Sequence, residues 1–240
     1  MDDFTVKDMK QFLEELDAGI ATALSKSNIT ISCKKGCAGC CHMVTLCTIT
    51  EGVYISGELL HRMIGFEFEA FQHAAEDIFV AAQQMDYEGM NHRNYMDKKV
   101  PCVFLTPDKT CSIYSSRPVA CRAHVVISPP ENCEPDAKHP TTQMIDLRYF
   151  EAVMWKIDGE VRDKGTPSMG PLPLMVLWGM RYILEDVPDF YPERVKKLEL
   201  MKKIISGLPT PDQWMQKHAI TLAAEGVYTK EGPLPKVPAT

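Results

Sequence analysis

One segment constrains this chain more than any other: Cys33-Lys-Lys-Gly-Cys37-Ala-Gly-Cys40-Cys41-His42, followed by Cys47, Cys102, Cys111, Cys121 and Cys133. All nine cysteines fall within 101 residues, and none occurs in the last 107. Thiolates are soft ligands, and cysteines two or three residues apart on a loop can converge on one ion, which suits zinc or an iron–sulfur centre. Gly36 and Gly39 would supply the tight, positive-φ turns that such a loop needs. Packing the cysteines as small hydrophobes would call for apolar neighbours, whereas Lys34, Lys35 and glycines surround them. A disulfide scaffold is usually short, secreted and even in its cysteine count. The start, Met-Asp-Asp-Phe-Thr-Val-Lys, has no basic stretch followed by an apolar one, so no signal peptide is read there. No apolar run approaches the roughly 18 residues that cross a bilayer. The expectation is a cytoplasmic, metal-binding protein.

Over 240 residues, 45% hydrophobic and 24% charged content leaves room for a buried core and excludes wholesale disorder. A net charge of −6 excludes the global basic field of a nonspecific nucleic-acid binder. Met9, Phe12, Leu13, Leu16, Ile20 and Leu24 recur at helical spacing within 3–26. Thr48-x-x-Glu51 reads as a capping box that opens a helix over about 50–63, and a further helix is predicted over 66–85. Pro101-Cys102-Val-Phe-Leu and Cys111-Ser-Ile-Tyr114 read as the strands of a small hairpin with a turn longer than two residues. Ser116-Arg117-Pro118 then starts a short helix bearing Cys121 and Arg122. Residues 129–140 read as an irregular loop carrying Cys133, either a lid or a connector. Helices are predicted over 142–163, 172–186, 190–206 and 211–225. The fold class that follows is mainly α: a single helical domain over 1–225, with a Cys-rich metal-binding module at about 33–133, a small β-hairpin, and an extended tail over 226–240.

Cys40 and Cys41 are adjacent, so on an extended backbone their side chains diverge; reaching one ion together requires a bent backbone. One four-coordinate site needs four thiols, and two sites would use most of the nine, with His42 or His124 completing a set. Four thiolates around Zn²⁺ leave a charge of about −2, which nearby cations or N–H groups must offset. Arg117 and Arg122 flank Cys121 and are the candidates for that role; Lys34 and Lys35 read as solvated loop charge.

Cys33-x3-Cys37-x2-Cys40-Cys41, Pro101-Cys102-x-Phe104-Leu105 and Cys111-x-Ile113-Tyr114-x-x-Arg117-Pro118-x-x-Cys121-Arg122 together resemble the zinc- or iron-chelating domain family known as CxxCxxCC. The resemblance covers about residues 33–124. It implies a metal-binding set of Cys33, Cys37, Cys40, Cys41, Cys102, Cys111 and Cys121, holding zinc or iron, the latter as an iron–sulfur cluster. Cys47 and Cys133 fall outside the motif and are reserve ligands or ordinary thiols. Flagellin lysine N-methylases have a similar cysteine pattern, which implies an iron–sulfur-dependent enzyme as an alternative; no separate methyl-donor motif is found here. The spacing of Cys33, Cys37 and Cys40 also coincides with that of radical S-adenosylmethionine enzymes. Gly39 stands where those enzymes usually have an aromatic residue, and no βα repeat follows. Cys37-Ala-Gly-Cys40 admits a thiol redox protein as a third reading. No catalytic residue is assigned, and the partner expected is a metal ion, with neither nucleic acid nor membrane.

Overall fold

The computed structural model of the chain describes residues 6–26, 30–34, 36–63, 68–84, 100–133, 142–144, 169–186 and 192–224. These residues form a mainly helical fold with two short antiparallel strand pairs.

The first helix, α1 (Val6–Lys26), buries Met9, Leu13, Leu16 and Ile20, the spacing that places one apolar stripe against a core. Strand β1 (Leu46–Thr48) runs straight into α2 (Ile49–Met63), and the capping box closes as the sequence predicts. The Glu51 N–H donates to Thr48 Oγ1 at 3.2 Å, and the Thr48 N–H donates to Glu51 Oε2 at 2.7 Å. Helix α3 (Phe68–Gln84) buries Phe71, Ala75, Ile78 and Ala82. A five-residue helix, α4 (Val119–Ala123), leads into β2 (His124–Val126), which pairs with β3 (Thr142–Met144) in the register His124–Met144, Val125–Gln143 and Val126–Thr142. Strand β4 (Met169–Pro171) pairs with β1 and opens α5 (Leu172–Asp186); α6 (Pro192–Ile205) and α7 (Pro211–Ala224) follow.

Helix α5 is the hub. Leu172 through Met180 are buried without interruption, as expected of a helix covered on all sides. Its closest partner is α2, and two glycines set the approach. A Cβ on Gly52 would lie 2.5 Å from the Met175 carbonyl oxygen, and one on Gly179 would lie 2.6 Å from the Gly52 carbonyl oxygen. Ser56 Oγ sits 2.7 Å from both the Gly52 and the Val176 carbonyl oxygens, so its hydroxyl hydrogen-bonds across the contact. Helices α3 and α6 pack on α5 as well, with Met201 and Ile205 in the same core. Trp214 on α7 is buried near Gly170 of β4, and Trp178 Nε1 donates to the Pro209 carbonyl at 3.0 Å.

Two local expectations change. Residues 102–114 form no two-stranded ladder but a turn-rich loop closed by a single Leu105–Cys111 bridge. Residues 142–144, placed at the start of a helix by their periodicity, are instead strand β3, because β2 offers them a partner edge. The rest of that predicted helix, most of the 129–140 loop and the 226–240 tail lie outside the described residues. Among the described residues, no helix is long and apolar enough to cross a membrane.

Candidate metal centre

Four pieces of backbone carry the cysteines of the motif. The 33–37 loop is anchored to β2: the Ser32 N–H donates to the Val126 carbonyl at 2.7 Å, and the Val126 N–H donates to Cys33 Sγ at 3.2 Å. The thiol thus occupies the place that a carbonyl would take in a strand ladder. Gly36 adopts φ +88°, the left-handed turn that its residue type allows. A 3-10 turn, Gly39–His42, then carries Cys40 and Cys41, which is the bent backbone that adjacent cysteines require, and their two thiols are hydrogen-bonded to one another. Gly39 serves a different need from the one expected. A Cβ there would lie 2.4 Å from Cys133 Cβ, so glycine is required for space and not for a positive φ.

The loop over 100–114 docks on this turn through the Cys102 N–H, which donates to the Cys41 carbonyl at 2.7 Å. Cys102 and Cys111 each open a tight turn, with Leu105 N–H on the Cys102 carbonyl at 2.9 Å and Tyr114 N–H on the Cys111 carbonyl at 3.2 Å. In both turns the N–H two residues on, Phe104 and Ile113 respectively, donates to the cysteine sulfur. The next cross-strand pair would join Cys102 and Tyr114, but the Cys102 N–H goes to the Cys41 carbonyl and the Tyr114 N–H to the Cys111 carbonyl, which explains the missing ladder. The side chains of Phe104 and Ile113 are buried and fix both turns. Cys121 enters from α4, and its Sγ lies 3.7 Å from Thr45 Oγ1. The C-terminal part of the chain supports that contact, since the Leu172 N–H donates to the Thr45 carbonyl at 2.9 Å.

The thiols share one electrostatic neighbourhood. Cys33 feels Cys37 and Cys40, Cys102 feels Cys121, Cys111 and Cys40, and Cys121 feels Cys40 and Cys111. Burial pushes Cys102 and Cys121 up to about 12 and raises Cys33 and Cys111 as well; Cys40 is raised chiefly by its hydrogen bond with Cys41. Opposing this, the N–H donors and one cation favour the thiolates. The cation is Arg117, which lowers Cys33, Cys40, Cys111 and Cys121. Its guanidinium stacks over Tyr114 at 4.1 Å, and its Nε is buried without a hydrogen-bond partner among the described residues.

Arg122 does not share that role. It is buried, bonds to the Asp17 carboxylate of α1, and donates to the Arg117 and Ser115 carbonyls. Its charge is neutralised by Asp17, so Arg122 ties α1 to the cysteine loop and Arg117 faces the thiols. None of the nine cysteines forms a disulfide. Cys47 belongs to the core on β1, and Cys133 is buried against Gly39.

Among the described residues, no group of three or more Cys, His, Asp or Glu side chains is arranged to hold an ion. The thiols are neighbours held on separate turns, and their convergence would accompany binding. Their chemistry fits a thiolate-bound metal: a soft donor set, N–H groups on the sulfurs, an adjacent cation, and the buried His42 Nδ1 with no hydrogen-bond partner among the described residues. The residues that sequence reasoning missed, Thr45 and the N–H groups of Phe104, Ile113 and Val126, act mostly through backbone, which no residue type reveals.

In comparison with known proteins, residues 32–142 fit the family model CxxCxxCC, described as a putative zinc- or iron-chelating domain. No curated protein and no solved structure matches the chain.

Proposed function

We propose, from the match of residues 32–142 to the model of a putative zinc- or iron-chelating domain, that Cys33, Cys37, Cys40, Cys41, Cys102, Cys111 and Cys121 form a metal-binding set. The observation that supports this reading is that N–H donors and Arg117 surround sulfurs from four separate backbone segments. Groups that stabilise a thiolate have little purpose around neutral, buried thiols. The metal, when bound, supplies the positive charge that lets several thiolates share one space. The residues of this chain set the number of sulfurs and the hydrogen bonds that temper their charge.

The helical body keeps these segments in register. Glu51 Oε1 accepts the Val119 N–H at 2.8 Å, so the capping carboxylate of α2 also fixes the start of α4 and with it Cys121. The role is that of a metal-binding module built on a helical scaffold. Metal analysis with a visible spectrum on protein purified without oxygen tests it. Colourless protein with stoichiometric zinc, or coloured protein with stoichiometric iron, is the expected result; protein folded and free of metal after supplementation with both would overturn it. Iron with acid-labile sulfide would assign the iron–sulfur form and direct the next test to S-adenosylmethionine binding.

A further inference from the structure

We propose that Thr45 is a positioning residue for the metal-binding set, its hydroxyl donating to the Cys121 sulfur and holding it where the cysteine loops join the helical body. The inference rests on the metal-binding reading above and adds a side chain that lies outside the cysteine pattern.

Thr45 Oγ1 lies 3.7 Å from Cys121 Sγ, 76 positions away in the chain, a separation suited to the large radius of sulfur. While Cys121 is a thiol, either atom can donate. A metal-bound thiolate carries no hydrogen, so there the hydroxyl donates and the sulfur accepts. Cys121 needs such a donor from outside its own segment. Cys33 receives the Val126 N–H, whereas Cys121 stands inside α4, where backbone N–H groups turn back along the helix. Its own N–H goes to the Pro118 carbonyl at 3.0 Å, and that of Arg122 goes to the same oxygen at 3.2 Å.

Both ends of the contact are fixed without it. Thr45 directly precedes β1, and its carbonyl accepts the Leu172 N–H at 2.9 Å, one step beyond the Leu46–Pro171 pair of the β1–β4 ladder. Cys121 is fixed through α4, whose Val119 N–H donates to Glu51 Oε1 at 2.8 Å. Main-chain bonds hold Thr45 whatever its side chain, so exchanging the hydroxyl for a methyl removes the contact with sulfur and little else. A hydroxyl donating to a ligating thiolate draws charge from the sulfur, which favours the ionised form and lowers the energy of its lone pairs.

The test is Co²⁺ titration of the metal-free full chain under reducing, oxygen-free conditions, comparing the wild type with Thr45→Val and Thr45→Ser. Affinity is read by competition with a chromophoric chelator, and the sulfur-to-cobalt charge-transfer band by absorption. Thr45→Val should weaken binding by about tenfold and move the band to longer wavelength. Thr45→Ser keeps the hydroxyl and should match the wild type in both, an outcome that a packing role for the threonine methyl would not produce. In a Cys121→Ala background, Thr45→Val should change neither. Thermal melts of the metal-free chains control for folding; if Thr45→Val lowers the midpoint, Thr45→Ala, which adds no bulk, takes its place. Wild-type affinity and band position in Thr45→Val, equal losses in Thr45→Val and Thr45→Ser, or an effect that persists without Cys121 would each overturn the role of Thr45 and leave the metal-binding reading standing. Failure of the wild type to take up Co²⁺ would overturn both.

Discussion

Two arginines five residues apart illustrate how position in the fold, and not residue type, assigns a role. Arg117 faces the sulfurs and Arg122 faces Asp17. Arg117→Gln should weaken Zn²⁺ or Co²⁺ affinity by about tenfold or more while leaving the unfolding midpoint of the metal-free chain nearly unchanged, as measured by competition with a chromophoric chelator. Arg122→Ala should do the opposite. It strands the Ser115 and Arg117 carbonyls and costs roughly 2–4 kcal/mol of stability, seen in denaturant unfolding, with affinity retained by the folded fraction. The thiols carry a pH dependence whose sign is fixed. Folded metal-free protein holds protons on Cys102 and Cys121 up to about 12, against an ordinary thiol value of 9.0. Their contribution to stability is full below pH 9 and is lost as pH rises from about 9 toward 12. Metal-loaded protein, its thiols already ionised, should lack that alkaline loss; thermal melts of the two forms between pH 8 and about 11 make the comparison.

Helix α2 shows what a single element can coordinate. Glu51 is buried, completes the capping box with Thr48, and accepts the Val119 N–H. Glu51→Gln keeps the shape and one acceptor oxygen but replaces the other with an NH₂ that cannot accept, so Thr48 or Val119 loses its partner. A loss of about 1–3 kcal/mol is expected in equilibrium unfolding. The close crossing of α2 and α5 sets a stricter limit. Gly179→Ala would push a methyl to within 2.6 Å of the Gly52 carbonyl oxygen, and because the obstacle is backbone, relief requires separating the helices. Destabilisation of about 2 kcal/mol or more is expected, with an ordinary alanine gain in helix propensity too small to offset it. An unchanged melting temperature would show that the two helices part easily.

At the scale of the molecule, the cysteine loops pack on one end of a core that the helices form chiefly among themselves. Ile55, Phe71, Met175 and Met201 lie where α2, α3, α5 and α6 pack on one another, and Phe104, Ile113, Val119 and Ala123 join the same core from the cysteine segments, with Cys102 and Cys111 packed against it. Removing the metal should therefore loosen 30–45 and 100–133 while those four helices stay protected. Hydrogen exchange before and after chelation checks this: fast exchange confined to the cysteine segments is expected, and collapse of protection throughout would mean that the metal is integral to the whole fold.

The sequence alone determined what depends on residue type and short-range spacing. The helices over 6–26, 49–63, 68–84, 172–186, 192–205 and 211–224 follow from apolar periodicity, and the α2 start follows from Thr48 and Glu51 four positions inclusive apart. The cysteine motif was legible because metal chemistry needs thiols and few other side chains substitute for them. Tertiary structure decided everything that depends on a distant partner. Residues 142–144 became strand because β2 was there to pair with, and 102–114 lost its ladder because the Cys102 and Tyr114 N–H groups went to the Cys41 and Cys111 carbonyls. Gly39 proved necessary for the bulk of Cys133, 94 positions away in the chain. Helix propensity and side-chain chemistry are local properties written in the residues themselves. Hydrogen-bond competition, close approach and the direction a charge faces are set only when remote segments meet.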